Sequence, residues 1–304
     1  LVENYSSGVL DRLGLGWESV REWNPRLVYV SMSGPGHQGP WRDVISYAPT
    51  IHALCGLTYL TNPEGRGDIG CGFSLNDHAA GFAAAFSTLA ALQSVETTGV
   101  GQFVDMAQLE IGTYLLGPGM IDHLSNGREA HPAGNRDALA GRIPNDVYAC
   151  ADGFVAVTAN DDGMWSRLAP LLDLDATWTL EQRRAERAVI DTALGHWAGG
   201  RSNGVAMEEL QSVGVAAGCV QDAQTLFEHD PQLAARGFWR QGENDVHGLR
   251  PHDRFPALWS ESGDLAPYTM APAFLGQANF DVWTDVAGFD PSTVAEGIGS
   301  GLFT

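Results

Sequence analysis

The stretch GFSLNDHAAGFAAAFSTLAALQ, residues 72–93, constrains the fold most tightly. Leu75, Ala79, Phe82, Phe86, Leu89 and Leu92 recur at spacings of three and four, which predicts a helix with one buried apolar stripe. Ser74 or Asn76 supplies a residue type suited to capping its start. The helix is too short and too rich in alanine to cross a bilayer, which takes ~18 or more apolar residues. It must therefore bury its stripe against other elements of the chain. One acid, Asp77, falls in its first turn. On chemistry alone two readings stay open: a carboxylate that complements the positive end of the helix dipole, or a carboxylate placed there for chemistry.

The segments before and after this helix alternate between the two periods. LVENY opens as a strand running into a loop, SSGVLDRLGLGWESVREWNP reads as helical turns, and RLVYVSMSG (26–34) as a buried parallel strand. YAPTIHALCGLTYLT (47–61) reads as a helix with Pro49 in its first turn, and FVDMAQLEIGTYLLGPGMIDHL as a strand end and another apolar helix. Strands alternating with helices favour α/β architecture for residues 1–125. Residues 126–145 are polar and rich in glycine and proline, the composition of a linker. Residues 146–245 read as a smaller α+β domain. VYACADGFVAVTAND is a hairpin turning at Asp152–Gly153, helices follow between 163 and 212, GVAAGCVQD is a further strand, HDPQLAARGFW is helical, and 239–260 is a small hairpin. Residues 246–304 form a return segment with a helix around Asn279–Val286, expected to complete the large domain. With 304 residues and 44% hydrophobic content, such a chain can bury a substantial core.

Charge and motifs remove several function classes. All 17 basic residues are arginine and stand against 37 acidic ones, a formal charge of −20. That field disfavours nucleic acid and anionic membrane surfaces as partners. Without lysine there is no phosphate-cradling GK[ST] loop, and GPGHQGP lacks the spacing of a dinucleotide fingerprint. His37, His52, His78, His123 and His131 are scattered, with no metal-ligand spacing, so no metal is expected. YSSG and SMSG fall short of a serine-hydrolase elbow. Cys55, Cys71, Cys150 and Cys219 lie far apart and read as free thiols. With no signal peptide or membrane span legible, a cytoplasmic location is expected. The opening at Leu1, within a strand end, leads to the expectation that an N-terminal portion lies outside this sequence or on another chain.

VENYSSGVLDRLGLGWESVREWNPRLVYVSMSGPGHQGPWRD (2–43) closely resembles the class III CoA-transferase family. That family is the carnitine-dehydratase/bile-acid-inducible, CaiB/BaiF-like group, and includes enzymes of the formyl-CoA transferase type. GVGQFVDMAQLE, the Gly134–Asn135 pair, YACADGFVAVTAND, GVAAGCV and the FLGQ tail follow in family order. The resemblance implies a Rossmann-like large domain, incomplete at its N-terminus, beside a smaller α+β domain, in an interlocked homodimer or a heterodimer with a related subunit. It implies acyl-CoA and carboxylic acids as substrates, with coenzyme A the group carried. Within D-H-A-A-G (77–81), Asp77 matches the family's catalytic nucleophile. Asn4, Tyr5, Ser6, Arg12, Ile45, Ser46, Tyr47 and Ala48 match its coenzyme A contacts. Ser6–Ser7 stand where arginine–proline is common, and Ile45 where a lysine is sometimes found; both changes remove charge from the phosphate contacts. GNRDALAG is the nearest counterpart of a glycine-rich lid. Two alternatives accompany this reading. An α-methylacyl-CoA racemase would need an imidazole where Ser46–Tyr47–Ala48 stand. A catalytically weak partner subunit would need no turnover of its own.

Overall fold

The computed structural model describes residues 1–63, 65, 70, 72–136, 141–244, 246, 248–261 and 275–303. Cys71, the middle of GNRDALAG, most of the 245–275 segment and Phe274 of the FLGQ tail lie outside the described residues. The chain divides into two units, Leu1–Val220 and Gln221–Thr304.

The first unit opens with β1 (Val2–Glu3), α1 (Val9–Arg12), α2 (Trp17–Trp23) and β2 (Val28–Ser31). Next come α3 (Ala48–Leu54), α4 (Leu57–Leu60), α5 (Leu75–Thr98), β3 (Gln102–Asp105), α6 (Gln108–Leu115) and α7 (Gly117–Asn126). The three strands form one parallel sheet in the order β1-β2-β3, with Val2 opposite Val30 and Val28 opposite Gln102. The central strand, VYVS, is buried throughout, as a strand covered on both faces must be. The helix expected over 47–61 is divided at Cys55–Gly56 into α3 and α4, because Gly56 takes φ 87°, outside the helical range.

The long helix forms, but its faces are reversed relative to the sequence expectation. Ala84, Ala91 and Val95 pack against Val28 and Val30 of the central strand, with Met32, Val104 and Met106 beside them. Phe82, Phe86 and Leu89 are instead 70%, 75% and 67% exposed. Small residues let the helix axis approach the sheet closely, and that close approach, rather than side-chain bulk, selects the buried face. The capping expectation is corrected as well. Ser74 occupies the N-cap position without a side-chain cap bond, and Asn76 is buried inside the helix. The backbone N–H of Asn76 donates instead to Nε2 of His52 on α3 (3.4 Å). Phe73 and Tyr114 are exposed, whereas Trp165 is fully buried.

The rest of the first unit is an antiparallel sheet covered by helices. β4 (Asn145–Ala149) pairs with β5 (Phe154–Thr158), and β5 with β6 (Ala216–Cys219). The 150–153 turn joins the first two strands, with the Cys150 N–H donating to the Gly153 carbonyl (2.8 Å). Between β5 and β6 run α8 (Asp162–Leu168), α9 (Leu180–Ala185), α10 (Arg187–Gly199) and α11 (Asn203–Ser212). Their core is separate from that of the parallel sheet and centres on Val155, Val157, Trp165, Leu168, Ile190, Leu194 and Leu210. Trp165 stacks on Trp178 at 5.8 Å and donates from Nε1 to the Asp175 carbonyl (3.1 Å).

The second unit holds α12 (Ala223–Glu228), α13 (Pro231–Ala235), the hairpin of β7 (Trp239–Asn244) and β8 (Gly248–Asp253), then α14 (Asn279–Asp281) and α15 (Pro291–Gly299). Asp222, Asp230 and Asp290 cap three of its helices through their side chains. The expected tail helix is a short turn continued by a π-helical stretch, Val282–Val286, and α15 was not anticipated. Cys55, Cys150 and Cys219 are free thiols. Among the described residues, no helix is long and apolar enough to cross a membrane.

Candidate active site

Loops at the carboxyl ends of a parallel sheet form the natural crevice of an α/β fold. Here three of them are stitched together through His37. Its Nε2 bonds the Ser31 hydroxyl at the end of β2 (2.7 Å), and its Nδ1 bonds the Ser7 hydroxyl beyond β1 (3.2 Å). Its backbone N–H donates to both carboxylate oxygens of Asp105 at the end of β3 (3.1 and 3.2 Å). The start of α6 is fastened to the same region, with the Gln108 and Leu109 N–H groups donating to the Ser33 and Gly34 carbonyls (3.2 and 3.0 Å). Gly34 makes room for the approach to α3, since a Cβ there would collide with the Ser46 hydroxyl.

Above these loops lies a cavity of about 520 Å³. Asn4, Tyr5 and Ser6 line it from the loop after β1, and Gly34 and Pro35 from the loop after β2. Ile45, Ser46, Tyr47 and Ala48 line it from the approach to α3, Ser74 and Asp77 from the start of α5, and Gln108 from the start of α6. Of the residues singled out in the sequence, the cavity thus brings together Asp77, Asn4, Tyr5, Ser6, Ile45, Ser46, Tyr47 and Ala48. Arg12, exposed on α1, is not among its lining residues.

Asp77 is exposed toward solvent, and its Oδ1 accepts a hydrogen bond from Gln108 Nε2 at 3.1 Å. The neighbouring Asn76 points the other way. Its Nδ2 donates to the Gln108 carbonyl (3.3 Å) and approaches Cys55 Sγ (3.7 Å), and its buried Oδ1 has no hydrogen-bond partner among the described residues. Gly112 on α6 permits this packing, because a Cβ there would lie 2.6 Å from Asn76 Nδ2. One residue of α5 therefore anchors the helix start between α3 and α6 while the next presents a carboxylate to the cavity. The amino ends of α5 and α6 both meet there, and the positive ends of their helix dipoles favour negative charge. The sequence reading missed Gln108 and the His37 clasp. Both arise from contacts between segments 31 and 68 residues apart, which no local pattern reports.

The lining combines amide and hydroxyl groups from Asn4, Ser6, Ser46 and Gln108 with the rings of Tyr5 and Tyr47. Such a wall suits a ligand that carries amide and carbonyl groups. No arginine lines it among the described residues, so it offers no direct counter-charge for phosphates.

A parallel α/β layer carrying a carboxylate over a cavity is a scaffold suited to group transfer. Residues 1–279 match the model of CoA-transferase family III, and the chain belongs to that family. It is 29% identical over 303 residues to a succinyl-CoA–D-citramalate CoA-transferase of Chloroflexus aurantiacus, covering 97% of this chain and 74% of that one. It is 28% identical over 273 residues to a succinate–glutarate CoA-transferase of Agrobacterium fabrum, covering 86% of this chain and 66% of the relative. The crystal structure of a CaiB/BaiF family protein from Brucella suis superposes with a TM-score of 0.81 at 27% identity, covering 94% of this chain and 74% of that one.

Proposed function

We propose that this chain carries the nucleophile of an acyl-CoA:carboxylate CoA-transferase, with Asp77 as the attacking group. The observation that carries the reading is the cavity itself, where Asp77 faces the Asn4–Ser6 and Ile45–Ala48 segments. A carboxylate is ionised at neutral pH and needs no general base. An Asp77 oxygen attacks the thioester carbonyl of the donor, the C–S bond breaks, and CoA leaves as thiolate. The product is a mixed anhydride between Asp77 and the acyl group. The thiolate then attacks Cγ of Asp77, the C–O bond breaks, and the acyl group departs as a free carboxylate, leaving an aspartyl-CoA thioester. An acceptor carboxylate repeats the two steps in reverse and regenerates Asp77. No step needs a net proton, and covalent catalysis divides one difficult exchange into easier ones.

The relatives' names favour a small dicarboxyl donor and acceptor, with succinyl-CoA the first donor to try. In this reading the pantetheine arm of coenzyme A runs along Asn4, Tyr5, Ser6, Ile45, Ser46, Tyr47 and Ala48. Arg12 is assigned to its phosphates from outside the cavity. The racemase alternative loses ground because no histidine lines the cavity among the described residues. The exposed Phe82, Phe86 and Leu89 face of α5 is an apolar surface of the kind that marks an interface, and it supports the proposal of a dimer. The test of the activity is transfer of CoA from succinyl-CoA to glutarate or citramalate by the purified protein. The Asp77→Ala variant loses the activity by at least about a thousandfold; equal activity in wild type and variant rejects the proposal.

A further inference from the structure

We infer that Gln108 is a second catalytic residue, an amide donor that stabilises negative charge on Oδ1 of Asp77 when Cγ of that residue is attacked. The inference rests on Asp77 as the nucleophile and adds a division of labour between its two oxygens. Gln108 Nε2 lies 3.1 Å from Asp77 Oδ1 and 3.5 Å from the Met32 carbonyl oxygen. Both neighbours are acceptors, so the side-chain amide is oriented with its NH₂ group toward the carboxylate. Its backbone is pinned on both sides, with its N–H donating to Ser33 and its carbonyl accepting from Asn76 Nδ2. The donor is therefore fixed before any reaction begins, which is the condition under which such a group lowers a barrier.

The consequence is specific to particular steps. With Oδ1 held by the amide, Oδ2 is the oxygen left free to attack the donor thioester, and the charge of that first transition state develops on the acyl carbonyl, away from Gln108. The later steps differ. When CoA thiolate attacks Cγ of the anhydride, the C=O electrons move onto Oδ1, where Nε2–H meets them. The bond from Cγ to the bridging oxygen then breaks and the acyl carboxylate leaves. Attack of the acceptor carboxylate on the aspartyl-CoA thioester passes through the same oxyanion and expels thiolate. Gln108 thus acts on the Cγ-centred steps and leaves the first attack largely untouched.

The experiment mixes the full chain with succinyl-CoA and reads the adduct on Asp77 by mass spectrometry, in wild type, Gln108→Met and Gln108→Leu. Both variants remove the donor and keep bulk, and melting curves identify which one folds as wild type does. Wild type accumulates the CoA thioester, which borohydride reduces. The variant accumulates the succinyl anhydride, read as a succinyl rather than a CoA mass increment on Asp77. Its kcat falls about a hundredfold while KM for succinyl-CoA stays within about threefold. A folded variant that forms the CoA thioester at the wild-type rate overturns the role of Gln108 and leaves Asp77 standing. Absence of any adduct in wild type overturns the Asp77 reading itself.

Discussion

Asn76 and Asp77 are adjacent in sequence and opposite in environment, and their difference organises the site. Asn76 is wholly buried and bonded across to α6, whereas Asp77 is exposed to the cavity. Replacing Asn76 with alanine removes the side-chain donor to the Gln108 carbonyl and opens a void among α3, α5 and α6. We expect a loss of about 1–3 kcal/mol in urea unfolding, together with reduced transfer because the start of α5 loosens. Cys150 and Cys219 give a pH-dependent check. Burial, and after it the charge of Asp152, raises both thiols above their ordinary range. A raised pKa means less thiolate at a given pH, so iodoacetamide should label both more slowly than free cysteine near pH 8, the gap closing as pH rises. A rate equal to free cysteine contradicts that environment. At this level the sequence made the carboxylate and the two flanking segments legible only through family resemblance. Charge pattern alone left Asp77 divided between a dipole role and a chemical one. Gln108 and His37 were illegible because their partners come from other elements, and a hydrogen bond across the fold leaves no period in the chain.

The long helix α5 shows what periodicity can and cannot tell. Spacings of three and four announced the helix, but its small-residue side and its large-residue side share that period. The choice between them is made by the sheet, where buried Ala84 packs with Val28 and Val30 of β2. Ala84→Leu should therefore destabilise by about 1–3 kcal/mol, while Phe86→Ser, on the exposed face, should change monomer stability by less than about 0.5 kcal/mol. Thermal melting of the two variants separates the faces, and the reverse order would contradict the packing. In the antiparallel layer, Trp165→Ala removes a buried ring that stacks on Trp178 and should cost about 3–5 kcal/mol. The hairpin around Asp152–Gly153 was legible because turn chemistry and alternation agree locally. The division of 47–61 and the extra helix α15 were not. A lone glycine inside an apolar helical pattern does not announce its backbone angle, and the Asp290–Pro291 start of α15 is a local signal that the sequence reading passes over.

For the molecule as a whole, alternation of strands and helices pointed to mixed α/β architecture, and the first unit holds a parallel and an antiparallel sheet with separate buried cores. What such patterns cannot supply is the convergence of loops after three parallel strands on one carboxylate, since that depends on strand order. If the exposed α5 face joins two copies, Phe86→Glu should shift the sedimenting species toward monomer, and an unchanged sedimentation coefficient contradicts the interface. The most direct test of the mechanism is peptide-level mass mapping after the chain meets succinyl-CoA labelled in its acyl and CoA parts. The prediction is a covalent adduct on the peptide containing Asp77, absent from Asp77→Ala, and discharged when a dicarboxylate acceptor is added. Transfer that continues with no adduct on that peptide, or in the Asp77→Ala protein, would contradict it.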